Sequence, residues 1–184
     1  MNIKKALPIG IITALIFWYL AKQKSGPKLD FFEPSEFGPY WPLMSEKLLI
    51  KLDEFRRRLG YPVTISPAYG AIGRPVIRLG KETDNEEVLD NATQHNYLKW
   101  GEIRAIDVMP RPPNGVTPAE RRRWFEIARA VGFTGIGIYP DWKPTAGIHV
   151  DVRVDHREGD PATWAGVKGP DGKQTYTGIG RAFV

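Results

Sequence analysis

The stretch IHVDVRV at residues 148–154 places an imidazole, a carboxylate and a guanidinium at alternate positions. Successive side chains of a β-strand point to opposite faces of the sheet. As a strand, this stretch puts His149, Asp151 and Arg153 on one face and aliphatic residues on the other. The three polar groups can ligate a metal, accept a hydrogen bond or bind a carboxylate. For one isolated pattern, a solvated polar face with unconnected charges is the ordinary alternative.

A second predicted strand, IRAIDVM at residues 103–109, carries a carboxylate in apolar surroundings. Strand alternation puts Asp107 on the same face as isoleucine, alanine and methionine side chains. A buried carboxylate must be paired or bind a metal, because burial of an isolated charge is very costly. Its partner is either a metal ion or an arginine such as Arg74 or Arg78, and the pattern leaves both open.

His95 lies in ATQHNYLKWGE, a polar segment that leads into the second strand. On its own it is typical of an exposed loop histidine. Together, His95, Asp107 and His149 form a set of two imidazoles and one carboxylate that suits Zn²⁺ and leaves a fourth position for water. Zinc in such a site lowers the pKa of a bound water to about 7 and polarises a substrate carbonyl. The chain has no cysteine, which excludes thiolate ligands and a cysteine nucleophile.

These motifs resemble those of the zinc D-Ala-D-Ala carboxypeptidase family, which includes peptidoglycan L,D- and D,D-peptidases and phage endolysins. The resemblance covers roughly residues 43–165 and is most specific in GFTGIGIYPDWKPTAGIHVDVR. It implies a Zn²⁺-dependent peptidase in which two histidines and an aspartate hold the metal. The motif residues follow the family's order and are Thr93, His95, Gly101, Ala105, Asp107, His149 and Asp151.

The chain also departs from the family pattern. His95 and Asp107 are twelve residues apart, further than in the family, so the intervening loop must bulge for His95 to reach the metal. The family's substrate-binding arginine has its nearest counterpart in Arg74, which lies further along the chain than the family motif places it. Arg153 is a second arginine that could bind a substrate carboxylate. Many relatives carry an acidic residue or histidine shortly before the last ligand, where this chain has alanine and glycine.

The residue that would act as general base is therefore not settled by the family pattern. Asp151 is the preferred choice, because it shares a strand face with His149. In the alternative role, Asp151 accepts a hydrogen bond from a ligand histidine and fixes its tautomer. Glu102, Asp141 and His156 are further candidates. Relatives without a base exist, and the hedgehog signalling domain keeps the zinc fold as a binding module.

The positive charge of the chain is confined to its N-terminal segment. Of 184 residues, 26 are basic and 21 acidic, and residues 1–28 hold five lysines and no acid, so the rest is formally neutral. Without excess positive charge, the globular part is not expected to bind nucleic acid. Lysines flank the uncharged run ALPIGIITALIFWYLA, which predicts an uncleaved single transmembrane helix. A signal peptide or a buried core helix is the competing interpretation.

Helical and strand patterns mix without a regular strand–helix–strand rhythm, which indicates an α+β fold with a small antiparallel sheet flanked by helices. One helix is predicted to begin after a capping residue at Ser45 and to end at Gly60. A second is predicted to begin with a capping box at Thr117 and to end at Gly132. The glycine-rich tail from Gly166 is predicted to be a loop. The predicted strands cover residues 61–66, 103–109, 135–139 and 148–154.

Arginines and tryptophans give two further patterns. The three consecutive arginines at 121–123 are predicted to form a solvated helix face. Trp124 falls on the apolar stripe of the same helix and is predicted to lie in the core. Trp100 and Trp142 flank the motif loops and are either core residues or part of a peptide or glycan groove.

The predicted organisation is a membrane anchor at residues 1–24, a linker at 25–42 and a zinc peptidase domain at 43–184. The predicted function is hydrolysis of stem or cross-link peptides of peptidoglycan, in wall lysis or remodelling, by a bacterial or virion enzyme. Such a domain is expected to face the periplasm or cell wall, or to sit in a virion membrane. The alternative is a non-catalytic, zinc-stabilised binding module on a membrane that recognises wall peptides or a protein partner.

Overall fold

The computed structural model describes residues 26–74 and 93–184 and confirms the α+β class. The helices are the 3₁₀ helix η1 (Pro34–Leu43), α1 (Glu46–Leu59), the single-turn α2 (Tyr97–Trp100), α3 (Pro118–Val131) and the 3₁₀ helix η2 (Ile179–Phe183). The strands are β1 (Val63–Ile65), β2 (Ala105–Pro110), β3 (Gly135–Tyr139), β4 (Gly147–Asp151), β5 (Ala162–Lys168) and β6 (Gln174–Thr177).

The predicted membrane anchor over residues 1–24 lies outside the described residues. Within the two described ranges, no helix has both the length and the apolar character that a membrane span requires.

The six strands form one mixed sheet in the order β1-β2-β4-β3-β5-β6. Neighbouring strands are antiparallel except for β3 and β5, which run parallel, so the prediction of an antiparallel sheet is wrong at this pair. The tail predicted to be a loop instead contributes the end of β5 and all of β6. Gly166 of β5 lies against the ring of Tyr139, which a Cβ at this position would overlap. Here glycine permits a close contact inside a strand rather than marking a loop.

The two faces of the sheet carry different residues. One face is aliphatic and joins Trp124 of α3 and the apolar stripe of α1 in a single core, as predicted. The opposite face carries Asp107, His149 and Asp151, and these are buried as well. The alternative of a solvated polar face is therefore wrong. The fully buried aliphatic residues of the central strands are Ile106, Val108, Ile136, Ile138, Ile148 and Val150.

Both long helices begin and end close to the predicted positions. Gly60 ends α1 in the left-handed conformation (φ 74°), where a residue without a Cβ is favoured. The Thr117 hydroxyl caps α3 by accepting a hydrogen bond from the backbone N–H of Glu120. The Glu120 carboxylate does not complete a capping box, because it accepts a hydrogen bond of 2.7 Å from the Tyr61 hydroxyl instead.

Part of the segment predicted as a linker packs onto the domain. Within residues 25–42, the side chains of Phe32 and Phe37 are buried in the hydrophobic core. The Asp53 carboxylate of α1 accepts hydrogen bonds from the backbone N–H groups of Asp30 and Phe31. This stretch therefore belongs to the folded unit and is not a free spacer.

Arg121 departs from the prediction of a solvated arginine face. Arg122 and Arg123 are exposed, but Arg121 is buried. Its guanidinium donates hydrogen bonds to the carbonyl oxygens of Ala182 (2.6 Å) and Val184 (3.0 Å). One arginine of the triplet therefore fastens the C-terminal η2 to α3.

Replacing Arg121 by alanine is expected to lower the free energy of unfolding by about 2 kcal/mol, because two charge-assisted hydrogen bonds are lost and two carbonyl groups lose their partners. Arg129→Ala, on an exposed position of the same helix, is the matched control and should change the free energy by less than about 0.5 kcal/mol. Urea unfolding followed by circular dichroism measures both. Equal stabilities of the two variants would contradict the role of Arg121.

Candidate metal centre

Two of the predicted ligands face each other across the β2–β4 pair. The register places Asp107 directly opposite His149. Directly opposite residues of antiparallel strands have Cβ atoms only about 5 Å apart, so their side chains meet. Asp107 Oδ1 lies 2.8 Å from His149 Nδ1. The central contact of the site thus follows from strand pairing.

His95 reaches the same point from the turn before α2. Its side chain is 1% exposed, so it is not the exposed loop histidine of the alternative interpretation. His95 Nε2 lies 3.2 Å from His149 Nδ1 and 3.4 Å from Asp107 Oδ1. The long spacing between His95 and Asp107 is taken up by α2, whose first turn is capped by the Asn96 side chain.

Backbone hydrogen bonds hold the His95 turn against neighbouring chain segments. The carbonyl oxygen of His95 accepts from the N–H of Arg74, and that of Ala71 accepts from the N–H of Asp107. A third bond links Arg104 N–H to the carbonyl oxygen of Gln94. His95 is therefore positioned by non-local backbone contacts, which its sequence spacing did not reveal.

In each imidazole, one ring nitrogen faces the other two ligands and is called the near nitrogen. The other ring nitrogen, the far nitrogen, already has a hydrogen-bond acceptor. His95 Nδ1 lies 2.9 Å from the carbonyl oxygen of Ile72, and His149 Nε2 lies 3.1 Å from Asp151 Oδ2. Each far nitrogen must carry a proton to make these bonds, so in the neutral rings the near nitrogens carry lone pairs. Two lone pairs and a carboxylate oxygen then converge, which is the donor set of a cation site. The His95, Asp107 and His149 ligand atoms lie within 4.8 Å of one another, so this buried group could bind a metal ion.

The pKa shifts agree with a site that attracts positive charge. Burial alone would lower the pKa of His149, but hydrogen bonds to Asp107 and Asp151 outweigh it and raise the pKa to about 9. Burial alone would raise the pKa of Asp107, but its contacts with both histidines hold that pKa below its usual range. Both shifts favour a positive charge beside the ionised Asp107 carboxylate.

Asp151 lies behind His149 rather than in the open part of the site. Its side chain is fully buried, and its carboxylate binds His149 Nε2 on one side and Arg153 on the other. Arg153 Nε lies 3.0 Å from both carboxylate oxygens and Arg153 Nη2 lies 2.6 Å from Oδ2. Of the two predicted roles, this geometry suits the one in which Asp151 fixes the tautomer of His149.

The other predicted bases lie elsewhere. Glu102 accepts a hydrogen bond from Arg104, and Asp141 accepts one from the backbone N–H of Lys168. His156 is exposed and contacts only a backbone carbonyl oxygen among its hydrogen-bonding partners in the described chain. None of these three side chains lines the cavity beside the ligand atoms.

The two predicted substrate-binding arginines differ in how firmly they are held. Arg153 is engaged with Asp151, and its guanidinium lies over the Trp164 ring at 5.3 Å from the centroid. The Arg74 side chain is 46% exposed; its Nη2 lies 3.7 Å from Asp107 Oδ2, and its Nε donates to the carbonyl oxygen of Gly70. Both line the cavity, and the Arg74 side chain is the more exposed of the two (46% against 21%).

A cavity of about 430 Å³ opens beside the three ligand atoms. Tyr139 and Trp142 stack at a centroid distance of 4.0 Å in its wall, and Trp164 lies next to His149. Trp142 therefore lines a groove, one of its two predicted roles. Trp100 is not among the residues that line this cavity, and its indole donates to the carbonyl oxygen of Thr93. Tyr139 and Trp164 were not identified from the sequence.

Four glycines on the three strands around the site make room for its larger side chains. A Cβ at Gly135 would overlap the Asp151 carboxylate, and a Cβ at Gly137 would overlap the Trp164 indole. These site glycines are Gly135, Gly137, Gly147 and Gly166. Glycine inside a strand pattern is a sequence signal of close approach, and it could have pointed to these contacts.

Comparisons of the chain with protein-family models, with curated proteins and with solved structures give no match. The resemblance to zinc peptidases therefore stays a prediction from the motif residues.

Proposed function

We propose that this protein is a zinc-dependent peptidase that hydrolyses stem or cross-link peptides of peptidoglycan. The observation that carries the proposal is the convergence of His95, Asp107 and His149 at the edge of an open cavity. Two imidazoles and one carboxylate with room for another ligand are the donor set of hydrolytic zinc sites.

His95 Nε2, Asp107 and His149 Nδ1 would hold the zinc ion. When bound, zinc supplies Lewis acidity that polarises a carbonyl and makes water a nucleophile near neutral pH. The contribution of the chain is positional: Ile72 and Asp151 accept the far N–H groups of the two imidazoles and keep their lone pairs directed at the site. Arg153 in turn holds Asp151.

Arg74 is our candidate for binding a substrate carboxylate. Its half-exposed side chain lies at the cavity wall near Asp107, where a forked donor suits bidentate carboxylate binding. Stem peptides of peptidoglycan carry such carboxylates. The lysine-flanked apolar run before residue 25 would hold the enzyme at a membrane, next to the wall or within a virion.

The function is tested with the purified full chain in detergent. Elemental analysis gives the zinc content, and amine labelling detects new amino groups released from purified peptidoglycan. We expect about one zinc per chain and release that a chelator stops and added zinc restores. Release that survives complete removal of zinc would contradict a zinc mechanism.

One observation favours the alternative of a zinc-stabilised binding module. Among the described residues, the lining of the cavity contains no carboxylate besides Asp107, and Asp151 is fully buried. Stoichiometric zinc together with retention of the protein on peptidoglycan, but no release of amino groups, would establish this alternative. Absence of zinc would contradict both functions.

Replacing Asp151 by asparagine separates its two roles. A residue that fixes the His149 tautomer is expected to cost about 10–100-fold in zinc affinity when its charge is removed. A general base would instead lower kcat and leave zinc affinity unchanged. We expect the first result, measured by competition with a chromophoric chelator. Asp160→Asn, on an exposed loop, is the control and should bind zinc like the parent.

A further inference from the structure

The phenol of Tyr139 lies in the wall of the cavity, close to the proposed zinc ligands. Tyr139 is two residues beyond Gly137 in β3, and Gly137 pairs with His149 in β4. Since residues two apart in a strand share a face, Tyr139 lies on the same side of the sheet as His149. Its side chain is 6% exposed, yet it lines the cavity together with the three ligands.

Packing fixes the position of the phenol. The Tyr139 ring stacks on Trp142 with an interplanar angle of 16°, and it also lies against Gly166, where a Cβ would overlap the ring. Trp164 Nε1 lies 2.8 Å from the Tyr139 oxygen, and the Trp164 ring is 5.2 Å from the His149 ring. The hydroxyl is therefore held by rigid groups that are connected to the metal centre.

The hydrogen bond between Trp164 and Tyr139 does not use the hydroxyl proton of Tyr139. An indole N–H can only donate, so the phenol oxygen is the acceptor in this bond. Within the described chain, the Tyr139 O–H has no acceptor of its own. Burial raises the pKa of Tyr139, so the phenol keeps this proton at neutral pH and cannot serve as a base.

A second tyrosine shows the ordinary arrangement. Trp124 Nε1 donates to the Tyr61 oxygen at the same distance of 2.8 Å. There, however, the Tyr61 O–H donates to the Glu120 carboxylate, so the pair is complete within the fold. Tyr139 has the same indole donor, but its O–H has no acceptor within the described chain and belongs to a side chain that lines the cavity.

We propose that Tyr139 is a catalytic residue that donates a hydrogen bond to the carbonyl oxygen of the scissile peptide bond as this oxygen gains negative charge. The proposal rests on the proposed peptidase function. Water oxygen bonds to the carbonyl carbon, the carbonyl π electrons move to the oxygen that Tyr139 contacts, and the C–N bond then breaks. Both hydrogens of the water end on the amine product, and Tyr139 keeps its own proton throughout. Donors placed in this way stabilise the transition state more than the ground state.

The test compares Tyr139→Phe with the parent as zinc-loaded full chains acting on soluble muropeptides from purified peptidoglycan. Loss of one such donor is expected to lower kcat by about 10²–10³-fold, with KM and zinc content unchanged. The ¹⁵N–¹H resonance of the Trp164 indole should also shift, because its acceptor is lost. This second measurement does not depend on activity.

Tyr61→Phe is the matched control, because it removes the same kind of acceptor from Trp124 outside the cavity. It should shift the Trp124 resonance and leave kcat within about threefold of the parent. If the parent does not hydrolyse muropeptides, the proposed function fails, and this inference fails with it. If the parent is active and Tyr139→Phe keeps its kcat, loses its zinc or leaves the Trp164 resonance in place, only the inference is overturned.

Discussion

Replacing His149 by alanine is expected to remove zinc binding and peptidase activity together. His149 is the central group of the site: its Nδ1 lies 2.8 Å from Asp107 and 3.2 Å from His95 Nε2, and its Nε2 binds Asp151. Loss of a direct ligand should exceed the roughly 10–100-fold that loss of an outer partner costs in such sites. Elemental analysis and amine release from peptidoglycan measure the two effects.

The same change should also destabilise the metal-free fold, because the buried carboxylates of Asp107 and Asp151 lose their shared partner. Removing one member of a buried ion pair costs about 3–5 kcal/mol. His149→Gln fills more of the space and keeps a polar side chain with an N–H₂ donor, so it serves if the alanine variant does not fold. His156→Ala is the control, since this histidine is exposed and remote from the cavity. Normal zinc content in folded His149→Gln would contradict the assignment of this ligand.

Gly135→Ala is expected to be the most damaging single-methyl change at the site. Gly135 pairs with Asp151 across β3 and β4, and an added Cβ would overlap the buried carboxylate. The carboxylate cannot move away freely, because Arg153 and His149 hold it. Overpacking of this kind costs about 1–3 kcal/mol, and displacement of Asp151 should lower zinc affinity at least about tenfold.

Thermal unfolding and chelator competition measure these two effects of Gly135→Ala. The matched control is Gly178→Ala, because Gly178 has an ordinary φ of −58° and no atom within 4 Å of an added Cβ. The control should leave stability and zinc affinity unchanged within about 0.5 kcal/mol. A stable Gly135→Ala variant with parental zinc affinity would show that the contact between Gly135 and Asp151 does not matter for the site.

Local patterns predicted the helices and the central strands well. The helix ends at Gly60 and Gly132 were correct, because glycine in the left-handed conformation is a local signal. Alternation in β4 correctly placed His149 and Asp151 on the face opposite the aliphatic residues that join the core. Both kinds of prediction depend only on residues close together in the chain.

Non-local contacts accounted for the differences. The sequence pattern did not predict β5 and β6, because glycines and polar residues are typical of loops. Only the packing of Tyr139 on Gly166 explains a glycine inside β5. Arg121 lies three residues before Trp124 and seven before Ala128, on the buried stripe of α3. Its partners, the carbonyl groups of Ala182 and Val184, are far away in the chain, so spacing within the helix did not reveal them.

Composition and spacing alone indicate the chemical groups available at the site, which are two imidazoles and a carboxylate for a cation in a chain without cysteine. How these groups are used depends on the folded arrangement. Strand pairing places Asp107 next to His149. Backbone hydrogen bonds hold the turn that contains His95. A salt bridge with Arg153 holds the Asp151 carboxylate behind His149. Such contacts join residues far apart in the chain, so their geometry depends on the packed sheet as a whole and not on the spacing of the residues that form them.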